Sequence, residues 1–188
     1  VQKVNSIIDA SKSYEYVDNG SPKQGGVKDV YFSPDKKYVV AFYRDKKPEP
    51  TPIQKQQQKE RIVKIVSTYL KNIKSGNVPD YFLDEIFRWP TDVVEKNNQL
   101  GIVVPIYLNK FFFAKGYKGN DMIKGGEKVG KWFTSPSFRN NQYPLSLDKS
   151  ELGDWLSYFQ IGINISRGVK KMHQMGLAHS DLSYNNVL

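Results

Sequence analysis

The chain has 188 residues and a formal net charge of +9: enough length to bury a sizeable core as one domain or two small lobes, and a charge that favours anionic partners such as nucleotide phosphates or acidic protein surfaces. Cysteine is absent, which excludes a disulfide framework and a thiolate metal site, argues against zinc and is compatible with a reducing compartment. No run reaches the roughly 18 apolar residues of a membrane span, and there is neither a charged-then-apolar secretion signal nor a dense basic run, so the expectation is a soluble, cytoplasmic protein that engages neither membrane nor nucleic acid.

In chain order, residues 14–18 (Tyr-Glu-Tyr-Val-Asp) and 27–32 (Val-Lys-Asp-Val-Tyr-Phe) are aromatic and β-branched with partial alternation, which predicts two strands. Turn residues from Asn19 to Gly26 separate them. Ser33-Pro34-Asp35-Lys36-Lys37 has turn chemistry and leads into a third predicted strand, Tyr38 to Arg44. Charged residues and proline from Asp45 to Pro52 mark an exposed connection. A helix is predicted over 53–74, where Ile62, Val63, Ile65, Val66, Tyr69 and Leu70 form an apolar stripe. Arg88 to Glu95 and Leu100 to Tyr107 give two more strands, the second broken by Pro105. The expected fold class is therefore α+β, with a five-stranded antiparallel sheet and one main helix.

Residues 109–150 carry Phe111-Phe112-Phe113, many glycines and lysines, then Trp132-Phe133 and Phe138. No regular element is assigned there, and the aromatics are taken as anchors that tie a long loop to the surface. From Glu151 to Met175 an apolar stripe of Leu152, Trp155, Leu156, Phe159, Ile163, Val169 and Met172 predicts a long amphipathic helix, with Gly176 placed to stop it.

After that stop comes His179-Ser180-Asp181-Leu182, with Asn186 five residues beyond the Asp. Together with Gly168-Val169, Met172-His173 and Gly176-Leu177, this string resembles the end of the long helix and the catalytic loop of protein kinases. The resemblance implies a two-lobe fold, with a small lobe over 1–104 and the hinge and first part of a helical large lobe over 105–188. It further implies ATP and magnesium as cofactors, Asp181 as the group that takes the acceptor hydroxyl's proton, and Asn186 as a magnesium ligand through its amide oxygen. Two departures stand out: Ser180 occupies the place of the usual Arg, and Ser183 that of a common lysine.

In the small lobe the phosphate-pairing lysine of the family is replaced, because Val40-Ala41-Phe42-Tyr43 ends in Tyr. Glu60 follows on the next helix at about the family's spacing, and its charge needs a cation. Gly25-Gly26-Val27-Lys28-Asp29-Val30-Tyr31 resembles the glycine-rich turn of with-no-lysine kinases, which implies Lys28 as that cation and backbone approach to phosphate at Gly25 and Gly26. Composition alone leaves Lys28 an ordinary exposed strand lysine. Arg44, next to Tyr43 on an alternating strand, points the other way. The same comparison puts Val104 beside the adenine and Tyr107 in the hinge. Neither Asp-Phe-Gly nor Ala-Pro-Glu occurs, so this segment alone is expected to be inactive. The leading expectation is a serine/threonine-type protein kinase acting on a protein substrate or partner. Phe87-Arg88-Trp89-Pro90-Thr91-Asp92, taken with His179-Ser180-Asp181-Leu182-Ser183 and the following Asn, is also reminiscent of bacterial kinase-like proteins found with tellurite-resistance and phosphatase partners. A nucleotide-binding pseudokinase scaffold and a small-molecule kinase of the aminoglycoside-phosphotransferase type are the alternatives.

Overall fold

The computed structural model describes residues 1–24, 26–44, 48–74, 86–115, 123–134, 149–151, 153–179, 181–183, 186 and 187. The chain is α+β and divides into two compact units, Val1–Ile106 and Tyr107–Leu188.

The first unit holds two antiparallel sheets. Strands β1 (Gln2–Asn5) and β2 (Ser13–Tyr16) form one; β3 (Lys23–Gln24), β4 (Lys28–Phe32), β5 (Tyr38–Tyr43), β6 (Asp92–Lys96) and β7 (Gln99–Pro105) form the other, in the order β3-β4-β5-β7-β6. Helix α1 (Pro52–Lys74) lies between β5 and β6 in sequence. Turn chemistry sets the register. The Ser33 hydroxyl accepts from the amides of Lys37 at 3.0 Å and Tyr38 at 3.1 Å while donating to Asp35 at 2.8 Å, which closes the β4–β5 hairpin. Asn97 and Asn98, both at positive φ, make the two-residue connection between β6 and β7, a conformation asparagine tolerates better than most side chains. At the head of α1, Thr51 and Gln54 cap reciprocally: the Thr51 amide donates to Gln54 Oε1 at 2.9 Å, the Gln54 amide to Thr51 Oγ1 at 3.3 Å. Pro52 takes the first helical position, where its missing N–H costs nothing.

Two expectations change here. The segment around 14–18 does not belong to the large sheet. It pairs with Gln2–Asn5, an earlier strand that the alternation did not reveal, and the large sheet opens instead on the short strand Lys23–Gln24. The strand expected from Arg88 starts at Asp92: Pro90 has no N–H for a ladder, and Trp89 turns aside to stack on Tyr69, with ring centroids 5.0 Å apart.

Alternation gives the large sheet two buried faces. Val40, Phe42, Val94 and Val103 point toward β1 and β2, where they pack with Val4 and Tyr16. Ala41, Ile102 and Val93 point the other way, and α1 covers that side with Val66 and Tyr69. Gly101 is required by this packing, since a Cβ there would meet the Phe42 ring at 2.8 Å.

The second unit contains a one-turn helix α2 (Lys131–Thr134) and helix α3 (Trp155–Gln174). Phe113, Ile123, Trp132 and Met172 are buried, and the Phe113 and Trp132 rings meet edge-to-face at 5.5 Å. Asp154 caps α3 by accepting from the Ser157 amide at 2.8 Å. Only part of the expected apolar stripe of α3 is covered: Met172 is buried, whereas Trp155 is 82% and Phe159 68% exposed. Leu152 and Phe138 lie outside the described residues.

Glu151 anchors the long connection. Its carboxylate is buried, accepts from the Lys115 amide at 2.7 Å and pairs with Lys128 at 2.7 Å. Burial pushes this carboxyl up, but the Lys128 and Lys115 hydrogen bonds outweigh it and hold it below the ordinary glutamate value of 4.5. A depressed carboxyl contributes stability that is present above the unfolded value and is lost as pH falls through the folded one. Glu151→Gln is therefore expected to lower stability by about 1.5–3 kcal/mol near pH 7 and to flatten the acid limb below pH ~4.5. Urea midpoints measured at both pH values check this; a midpoint that does not move near pH 7 would remove Glu151 as an anchor.

Candidate functional site

Each unit carries one of the two constellations that the sequence singles out. In the second unit the site begins where α3 ends. Gly176 adopts φ +73°, the left-handed conformation that glycine reaches most easily, and the Gly176 and Leu177 amides donate back to the carbonyls of His173 and Met172 at 3.0 and 2.9 Å. This Schellman closure satisfies the last carbonyls of the helix and turns the chain out into the loop. The Asp181 amide then donates to His179 Nδ1 at 3.3 Å, and the Ser183 amide to the Asp181 carbonyl at 3.1 Å. Asn186 closes the loop: its Nδ2 donates to the Asp181 carbonyl at 2.8 Å and to the Asp181 carboxylate at 3.0 Å. Two side chains five positions apart are thereby brought into direct contact, on an exposed surface.

An amide that donates through Nδ2 presents Oδ1 as its acceptor, and the Asp181 carboxylate has a second oxygen besides the one that Asn186 engages. Magnesium takes oxygen donors, so this pair is of the kind it requires. Among the described residues, no three of His, Cys, Asp and Glu gather closely enough to hold a metal ion. Ser180 and the segment Tyr184-Asn185 lie outside the described residues.

In the first unit, Lys28 sits directly across from Tyr43 in the β4–β5 ladder, and its ammonium lies 4.8 Å from the Tyr43 ring centroid. Both side chains are half-buried. Burial pushes the Lys28 ammonium below the ordinary lysine range and the Tyr43 hydroxyl above its own. Among the described residues no carboxylate pairs with Lys28; its recorded companion is an aromatic face. Arg44 faces the opposite way and lies 3.7 Å from Asp29, as strand alternation requires.

Glu60 is placed differently from the sequence expectation. It is exposed on α1, accepts from Gln56 at 2.8 Å, and no ion pair joins it to Lys28. The neighbouring residue makes the helix–sheet contact instead: Lys59 reaches Glu95 of β6 at 2.6 Å, with both side chains about one-third exposed. A signal for this was present. Lys59 precedes the buried Val66 by seven residues, about two turns, so it shares that residue's face, whereas Glu60 is rotated about 100° away.

Gly26 is exposed, and a Cβ on it would meet nothing within 4 Å, so its backbone is open to an approaching group. Gly25 lies outside the described residues. Val104 is half-buried on β7, paired with Val39, on the same sheet face as Lys28 but about 13 Å further along the strand direction. Tyr107 is exposed and opens the second unit. Among the described residues, no helix is long and apolar enough to cross a membrane. No protein-family model, curated protein or solved structure matches the chain.

Proposed function

We propose that this chain is part of an ATP-dependent, magnesium-requiring phosphotransferase of the protein-kinase type, of serine/threonine specificity, working in the cytoplasm on a protein substrate. The observation that carries the reading is the Asp181–Asn186 hydrogen bond in a loop that leaves a glycine-closed helix. Phosphoryl transfer needs an aligned acceptor hydroxyl and neutralised phosphate charge more than it needs covalent chemistry from the protein. Asp181 would align the hydroxyl and take its proton, and Asn186 holds that carboxylate in place while offering Oδ1 to magnesium. Bound magnesium would neutralise charge on the phosphate oxygens. Further support comes from the antiparallel sheet with α1 inserted between β5 and β6, and from Lys28, a cation that has lost much of its water without gaining a carboxylate.

A second reading, a nucleotide-binding scaffold without turnover, is favoured by Glu60 facing solvent and by Tyr43 occupying the lysine position. Incubation of the full-length gene product with labelled ATP separates the two: transfer to protein supports the kinase, binding without transfer supports the scaffold, and transfer only to a small hydroxylated compound supports a small-molecule kinase. Lys28→Ala is expected to weaken ATP binding by about 10–100-fold, the loss of one charge-assisted contact. Calorimetry reads this directly, and an unchanged affinity would take Lys28 out of the site.

A further inference from the structure

Helix α1 presents Lys55 and Lys59 one turn apart on one face. Each ammonium reaches a carboxylate outside the helix, Lys55 to Glu49 at 2.8 Å and Lys59 to Glu95 at 2.6 Å. With Arg44 they line a groove of about 1010 Å³ between α1 and the sheet, which Gly26 and Tyr43 border on the strand side. Its two ammoniums, Lys55 and Lys59, are matched by Glu49 and Glu95, while Arg44 borders the groove with its guanidinium turned toward Asp29 on the other sheet face. The Lys28 ammonium lies 4.8 Å from the ring centroid of Tyr43, which borders the groove. The open backbone at Gly26 gives an extended anion room to approach.

We propose that this groove binds an oligophosphate chain and that Lys59 is its exchangeable cation, held ready by Glu95. Partial exposure is what makes the exchange feasible. A fully buried Glu95 could not lose its partner without stranding a charge, and a fully exposed pair would hold the ammonium in no particular place. With both side chains about one-third exposed, Glu95 can rehydrate when a phosphate oxygen takes over Lys59, while β6 keeps the ammonium aimed at the groove until then. Continuing the β5–β7 register by one residue, the row Lys28, Tyr43, Leu100, Glu95 runs across four adjacent strands on this face, about 14 Å from end to end, longer than a chain of three phosphates and so leaving room for a cation at each end of one. The inference builds on the nucleotide reading of this face but requires only the phosphate chain.

Titration calorimetry with sodium tripolyphosphate at low ionic strength tests it, with ATP titrated in parallel. Lys59→Gln is expected to weaken tripolyphosphate binding about tenfold, and Lys59→Arg to restore most of it. Glu95→Gln removes the competing carboxylate and is expected to tighten binding about threefold or more, and the double variant should behave like Lys59→Gln. Unchanged binding in Lys59→Gln, or weakening in a folded Glu95→Gln, overturns the proposal and leaves the pair a structural clamp. ATP binding that depends on Lys28 but not on Lys59 sinks this inference alone. Lys59-dependent tripolyphosphate binding without ATP binding upholds it and sinks the nucleotide reading instead.

Discussion

Asp181→Asn in the full-length product is expected to lower phosphate transfer by about 10²–10⁴-fold, the usual contribution of a positioned general base, with little change in ATP affinity. The substitution is nearly isosteric. An amide at 181 can still turn its oxygen toward Asn186 Nδ2, now 3.0 Å from the carboxylate, and the backbone tie from that same nitrogen to the 181 carbonyl at 2.8 Å is untouched. The loop should keep its shape while losing the carboxylate that Asn186 holds. Transfer rate and ATP affinity measured on the same preparation make the comparison: loss of rate at constant affinity assigns Asp181 to the chemical step. Transfer within a few-fold of wild type would end the base assignment and move the balance to a different acceptor-activating group.

The parts of the molecule that local chemistry decides were legible in sequence. The alternation of Tyr38–Tyr43, the turn from Ser33 to Lys37, the apolar phase of α1 and the stop at Gly176 all depend on residues within a few positions of one another, and the structure places them as read. What failed depended on choices between distant partners. Residues 13–16 have the composition of a strand in any sheet, and only the presence of Gln2–Asn5 decides which one they join. Helix phase explains the change from Glu60 to Lys59. The first two turns of α1 carry no buried apolar residue, Ile53 being exposed, so family spacing pointed to residue 60, while the apolar anchors that fix the rotation of the helix begin at Ile62. On a helix, one residue of error exchanges solvent for the sheet. The string from His179 to Asn186 stands out in the sequence, but the direct bond between its Asp and Asn side chains does not, since two residues five apart in a loop can face any direction.

Asp92→Ala carries the largest expected cost in stability. Asp92 is 2% exposed and, among the described residues, forms no ion pair; three donors reach it, the Ser6 hydroxyl at 2.7 Å, the Tyr14 hydroxyl at 2.7 Å and the Val93 amide at 2.8 Å. Ser6 and Tyr14 belong to the β1–β2 hairpin, so the carboxylate ties the small sheet to the edge strand of the large one. Truncation leaves two hydroxyls without their acceptor and opens a gap between the sheets. The expected loss is about 3–5 kcal/mol, against a typical domain stability of about 5–15 kcal/mol. The tie also has an alkaline limit. Burial, and then the hydrogen bond to Asp92 and that carboxylate's charge, push the Tyr14 hydroxyl well above its ordinary value of 10.0, so its contribution is complete below pH ~10 and fades as pH rises toward the folded value. Tyr14→Phe should therefore reduce stability near neutrality and flatten the alkaline limb, readable by urea denaturation across pH. Asp92 and Glu95 lie on the same strand but on opposite faces, the first toward β1 and β2, the second toward α1. Asp92→Ala should consequently lower the urea midpoint while leaving tripolyphosphate affinity of the folded fraction within about twofold, and Glu95→Gln should do the reverse. If Asp92→Ala changes affinity as much as stability, the two faces of β6 are coupled, and the groove owes its shape to the small sheet as well as to α1.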